Sequence, residues 1–134
     1  MGKIDIRELS IGDWVMNIYA NKPSRVKGLR TMFQDTYEII AISDGTQYML
    51  IEDNKELHNF EPIPLTPEIL EKNGISKTYE SDEYSVYKGE GFNVTEYYTE
   101  LWEFERPRNR LIIRDVHQLQ HALRLAGVEK EIII

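Results

Sequence analysis

The chain has 134 residues, 41% of them hydrophobic and 29% charged, with a formal net charge of −7 and no cysteine. That length suits about one domain with a substantial core, and that composition excludes a disordered chain. The missing cysteines exclude disulfide staples, thiolate metal sites and cysteine nucleophiles, while the acidic balance disfavours bulk binding to phosphate backbones and leaves room only for a local basic patch.

Residues 1–12 read as a lead-in, with Ile4, Ile6, Leu9 and Ile11 packing at the edge of a core. The opening MGKIDIRELSIGDW lacks the apolar segment of a signal peptide, and Ile6 fails the myristoylation pattern. No run approaches the roughly 18 apolar residues of a membrane span. The expected setting is therefore the cytoplasm, with no membrane partner. Gly12-Asp13 turns the chain into a strand from Trp14 to Tyr19, and Asn21 to Ser24 makes a second turn. Arg25 to Phe33 is mixed, open to strand or irregular structure. Thr36 to Ile42 and Gln47 to Ile51 read as strands joined by the tight hairpin turn Ser43-Asp44-Gly45-Thr46. Glu52 to Glu61 reads as a polar, acidic loop.

The prolines of Pro62-Ile63-Pro64-Leu65-Thr66-Pro67 fix an extended connector. Thr66 then suits a helix N-cap, Pro67 the first helical position and Gly74 the stop, with Leu65 and Leu70 placed for a hydrophobic staple. Strands follow over Tyr84–Tyr87, Phe92–Val94, Tyr97–Phe104 and Arg110–Arg114, with turns at Lys88–Gly91 and Arg106–Asn109. Asp115 to Gly127 is the best-defined helix. Asp115 and Gln118 form a capping box, and Val116, Leu119, Ala122, Leu123 and Ala126 make one apolar arc. His117, His121 and Arg124 fall on the opposite, polar side. The apolar end Glu131–Ile134 reads as a terminal strand.

The expected fold class is α+β: a small antiparallel, barrel-like (SH3-like) N-terminal portion over residues 1–61, then an antiparallel meander with two helices over 62–134. Both belong to a single compact domain of residues 1–134.

His117 and His121, four apart on one helix face, could share a metal ion. No Glu follows the first His, so the HExxH pattern and its general base are missing, and a third ligand would have to come from elsewhere. The segment Lys22–Arg30, with Arg25, Lys27 and Arg30, has four basic residues and no acidic one; Arg106, Arg108, Arg110 and Arg114 form a second basic cluster. If these clusters converged, they could read phosphates, with Trp14, Tyr19 and Phe33 available for base stacking. Glu96, Glu100, Glu103 and Glu105 flank aromatic residues, which any strand with a solvated face also does. There is no GxSxG, P-loop or dinucleotide glycine pattern, and no cofactor is implied. The aromatic residues suit cores and a protein–protein surface.

Three stretches carry a resemblance: Arg7-Glu8-Leu9-Ser10-Ile11-Gly12-Asp13-Trp14-Val15, Glu61-Pro62-Ile63-Pro64-Leu65-Thr66-Pro67-Glu68-Ile69-Leu70 with Asn73-Gly74, and Val116-His117-Gln118-Leu119-Gln120. In their order and spacing they resemble a family of small proteins of unknown function from Bacteroides-type gut bacteria, their phages and mobile elements. The resemblance runs from about residue 7 to the end and implies a compact cytoplasmic protein. It supplies no catalytic residues, and His121-Ala122-Leu123 departs from the Asn-Leu-Tyr continuation common in the family. The expectation is a non-enzymatic binding or adaptor protein of phage or mobile-element origin, acting on a protein partner or another copy of itself. Its first candidate surface is His117, Gln118, His121 and Arg124. The alternatives are a metal-dependent enzyme using His117 and His121, or a nucleic-acid-binding module using Arg25, Lys27, Arg30, Arg106 and Arg108.

Overall fold

A computed structural model describes residues 3–134. The start of the lead-in, including Gly2 of the acylation pattern, lies outside the described residues. Two compact units divide the chain, Met1–Ile63 and Pro64–Ile134, and the break falls inside the proline-rich connector. The fold is α+β: antiparallel sheets with two helices, the first sheet curled into a half-barrel.

In the first unit the strands are β1 (Trp14–Asn17), β2 (Lys22–Phe33), β3 (Thr36–Ser43), β4 (Thr46–Glu52) and β5 (Phe60–Glu61), ordered β4-β3-β2-β1-β5. Alternation places Val15, Val26, Ile39, Ala41 and Phe60 on one face, where they pack with Ile4, Leu9 and Leu57. Apart from Ala41, each such side chain contributes about 1.5–3 kcal/mol by leaving water. The lead-in is anchored by strand-like bonds to the loop before β5: Ile6 N–H donates to Lys55 O at 2.7 Å and Leu57 N–H to Ile4 O at 2.9 Å.

Two expectations are corrected here. The residues expected as a turn followed by a mixed segment, Asn21–Ser24 and Arg25–Phe33, form one long strand from Lys22 onward. Pro23 is tolerated because β3 pairs with β2 only from Arg25, so its missing N–H breaks no bond on that side. The acidic loop Glu52–Glu61 ends in the short strand β5, which pairs with β1.

The second unit orders β6 (Ser76–Glu80), β7 (Tyr84–Gly89), β8 (Phe92–Tyr97), β9 (Leu101–Arg106) and β10 (Asn109–Ile113) consecutively, with α1 (Pro67–Lys72) before the sheet and α2 (Val116–Leu125) after it. Thr66 Oγ1 accepts from Ile69 N–H at 3.2 Å, capping α1. Both helices end alike. Ile75 N–H reaches Leu70 O and Val128 N–H reaches Leu123 O, each at 2.9 Å, across Gly74 and Gly127 at φ +77° and +73°. Gln118 Oε1 accepts from Asp115 N–H at 3.3 Å and completes the capping box of α2. Val116, Leu119, Ala122 and Leu123 are buried, as the arc predicts, and Ala126 is half-buried.

The strand expected over Tyr97–Phe104 is two pieces. Tyr97 closes β8, and Tyr98–Glu100 form a turn with Glu100 in the left-handed region at φ +68°. Glu131–Ile134 is not a strand. Ile132 inserts into the core, and the Asn73 side chain stands in for a strand neighbour: its amide donates to Ile133 O at 2.8 Å and its oxygen accepts from Ile133 N–H at 2.7 Å.

Candidate functional site

The least protected feature of the first unit is β4. It is an outer strand, bonded to β3 over seven consecutive pairs from Tyr37–Glu52 to Ser43–Thr46 with no register shift. Asp44 and Gly45 close the hairpin at φ +50° and +78°, both positive as a two-residue type I′ turn requires. Such a turn makes Ser43–Thr46 a hydrogen-bonded pair. Alternation then gives Ala41–Tyr48, Ile39–Leu50 and Tyr37–Glu52 the same status. The backbone N–H and C=O of Gln47, Met49 and Ile51 therefore point away from β3, toward the open edge. Asn59 Nδ2 donates to Ile51 O at 3.4 Å, which agrees with that direction.

Beside Gln47, two side chains at the edge are apolar. Met49 is 58% exposed and Ile51 48% exposed, and opposite them on β3 lie Ile40 and Glu38. Glu38 is held by Arg30 at 3.4 Å. Edge strands in soluble proteins are usually blunted by Lys, Pro or a bulge. Thr46–Glu52 reads TQYMLIE and has no Lys, Pro or bulge, its one charged residue being the buried Glu52 at its end. Glu52 fixes the end of the strand: its buried carboxylate accepts from His58 N–H at 2.7 Å and Asn59 N–H at 2.9 Å. Composition alone did not single out this surface. The Asp-Gly turn was the available signal, since it sets which residues of the returning strand face outward.

The polar face expected on the last helix is corrected at His117, which is 1% exposed. Burial varies along the helix as well as around it, so a bearing that is open at Arg124 in the last turn is covered at His117 in the first. His121 is half-buried, with its ring edge-on to His117 at 5.9 Å between centroids. Gln118 is engaged in the cap, its Oε1 also accepting from Arg114 N–H at 2.7 Å. Among the described residues no group of three or more His, Asp or Glu stands ready for a metal.

The basic residues fall into separate units. In the first, Arg25 lies over the Trp14 ring at 5.3 Å and its Nε donates to Gly12 O at 3.3 Å. Lys27 is exposed at the bulge between Val26 and Gly28, and Arg30 is paired with Glu38. In the second unit Arg106 Nη1 donates to Ala126 O at 2.5 Å, beyond the end of α2, while Arg108 is exposed at the β9–β10 turn. Stacking on Trp14 and the ion pair with Glu38 already occupy Arg25 and Arg30. Of the expected stacking residues, Tyr19 leans edge-on against Tyr48 and Phe33 is exposed at the β2–β3 turn.

Comparison with family models gives no match, and neither do comparisons with curated protein sequences or with solved structures.

Proposed function

We propose that this chain is a non-enzymatic binding protein that pairs with a second copy of itself along β4. The observation that carries the reading is the outer edge at Gln47, Met49 and Ile51, whose backbone groups turn away from β3, with the Ile51 carbonyl met by Asn59 Nδ2, and where Met49 and Ile51 expose apolar side chains. A strand added there satisfies those groups and covers the side chains in one step. A second copy fits because the edge is self-complementary. In a twofold antiparallel pair centred on Met49, Met49 meets Met49, Gln47 meets Ile51 and Thr46 meets Glu52, so no like charges face each other. We read the first unit as an SH3-like barrel, since a meander of four strands with a short fifth returning beside the first suits that class. The resemblance to small proteins of Bacteroides-type bacteria and their phages supports an accessory role on a mobile element. A chain without cysteine suits the cytoplasm.

Cross-linking tests the pairing cleanly, because the natural chain has no thiol to interfere. Facing residues of a hydrogen-bonded antiparallel pair lie about 5.5 Å apart at Cα, within disulfide range. Under mild oxidation Met49→Cys gives a covalent dimer, whereas Gln47→Cys stays monomeric unless Ile51→Cys is added. No cross-link at Met49→Cys, or equal cross-linking by Gln47→Cys alone, contradicts the proposed register.

A further inference from the structure

The β7–β8 and β9–β10 hairpins of the second unit end side by side, because Asn93 at the start of β8 pairs with Glu105 near the end of β9. Between the two tips lies a groove of about 770 Å³, whose lining includes Lys88, Phe92, Asn93, Arg106, Arg108 and Arg110. Four of these six are cationic. The one carboxylate in the wall, Glu105, is paired with Arg110 Nε at 3.0 Å. Among the described residues no carboxylate pairs with Lys88, Arg106 or Arg108. A patch of uncompensated cations thus sits on a chain of net charge −7.

Arg106 turns its Nη1 to the Ala126 carbonyl, on the α2 side of the sheet. Arg108 occupies the second central position of the Pro107-Arg108 turn at φ +72°. That pattern, proline first and a left-handed residue second, is the one in which glycine or asparagine fits without strain. An arginine kept there strains the backbone and projects a guanidinium at the mouth of the groove. Strain of this kind persists where it serves a site.

We propose that this groove binds a small phosphorylated molecule, read by its phosphate. Guanidinium groups match the oxygens of a phosphate in paired hydrogen bonds, and Lys88 adds a point charge. The volume falls in the usual range for small-molecule sites. The net charge of −7 disfavours a long polyanion, which separates this ligand from a nucleic-acid strand. Phe92, the only aromatic residue of the wall, is 4% exposed and offers no open face for a base to stack on. Recognition thus rests on the phosphate. This site is independent of the β4 edge.

The test is calorimetric titration of the full chain with pyrophosphate, beside a single-stranded 12-mer of mixed sequence. Pyrophosphate is expected to bind saturably at one site, and Arg108→Ala and Lys88→Ala each to weaken it at least tenfold. Arg108→Gly separates binding from folding: it is expected to raise the thermal midpoint by relieving the turn and to weaken pyrophosphate as Arg108→Ala does. The proposal is overturned if pyrophosphate does not saturate, if Arg108→Gly binds as tightly as the natural chain, or if the 12-mer binds more tightly than pyrophosphate.

Discussion

Replacing Glu52 with alanine removes the clamp that fixes the end of the edge strand. The carboxylate is 1% exposed and accepts two backbone bonds, from His58 N–H at 2.7 Å and Asn59 N–H at 2.9 Å. A hydrogen bond to a charged group contributes about 1.5–3 kcal/mol. His58 is exposed, so water reaches part of the freed backbone, and the total falls toward the lower end, about 3 kcal/mol for the pair. In a unit of this size each 1 kcal/mol moves the thermal midpoint by roughly 4–8 °C, which gives a drop of about 12 °C or more. Thermal unfolding followed by circular dichroism measures the drop. Hydrogen exchange locates it, since the His58 and Asn59 amides should lose protection first. Glu52→Gln keeps one acceptor oxygen and should fall between the two. A midpoint for Glu52→Ala within about 3 °C of the natural chain refutes the clamp as the anchor of β4.

Asn73→Ala removes three side-chain bonds, one to Ile69 O and two to Ile133, and should cost about 2 kcal/mol. It should also expose the segment around Ile132 to limited proteolysis, and unchanged cleavage would show that the asparagine does not hold the chain end. Glu96 on β8 has its carboxyl held above the ordinary 4.5 by burial, with Glu68 adding to the rise and Lys77 opposing it. A carboxyl raised on folding gives stability that is complete below 4.5 and is lost as pH climbs through the raised value. Glu96→Gln should therefore unfold at a higher temperature than the natural chain at pH 7, with the advantage shrinking toward pH 4. A variant less stable at pH 7 would refute that sign.

The parts of the fold that could be read from sequence are those whose turns carry glycine or a cap. Thr66, Pro67 and Gly74 mark α1, Asp115, Gln118 and Gly127 mark α2, and Asp44-Gly45 marks the β3–β4 hairpin. Two other turns are made by residues that give no such sign: Gln34 and Glu100 sit at positive φ, where such side chains seldom do. Glu100 is why Tyr97–Phe104 passes for one strand. The run Ile132-Ile133-Ile134 has strand composition but no strand, because Asn73, distant in sequence, supplies the bonds that a neighbouring strand would have given. His117 shows the limit of a helical wheel, which reports direction around the axis and nothing of how deep each turn is sunk. Both proposed surfaces depend on which residues lie at an edge or beside a neighbouring hairpin. Arg106 and Arg108 were legible as basic residues, but the part Lys88 plays beside them follows from the pairing of β8 with β9.

The pairing of two copies along β4 is tested most directly by light scattering across a concentration series, with Met49→Pro as the comparison. The Met49 N–H points to the open edge, so proline there removes an outward donor without breaking the β3 ladder. The natural chain should approach twice its 15.8 kDa monomer mass as concentration rises, and Met49→Pro, still folded by circular dichroism, should remain at the monomer mass. A natural chain that stays monomeric throughout the series, or a Met49→Pro variant that dimerises equally well, would contradict the account.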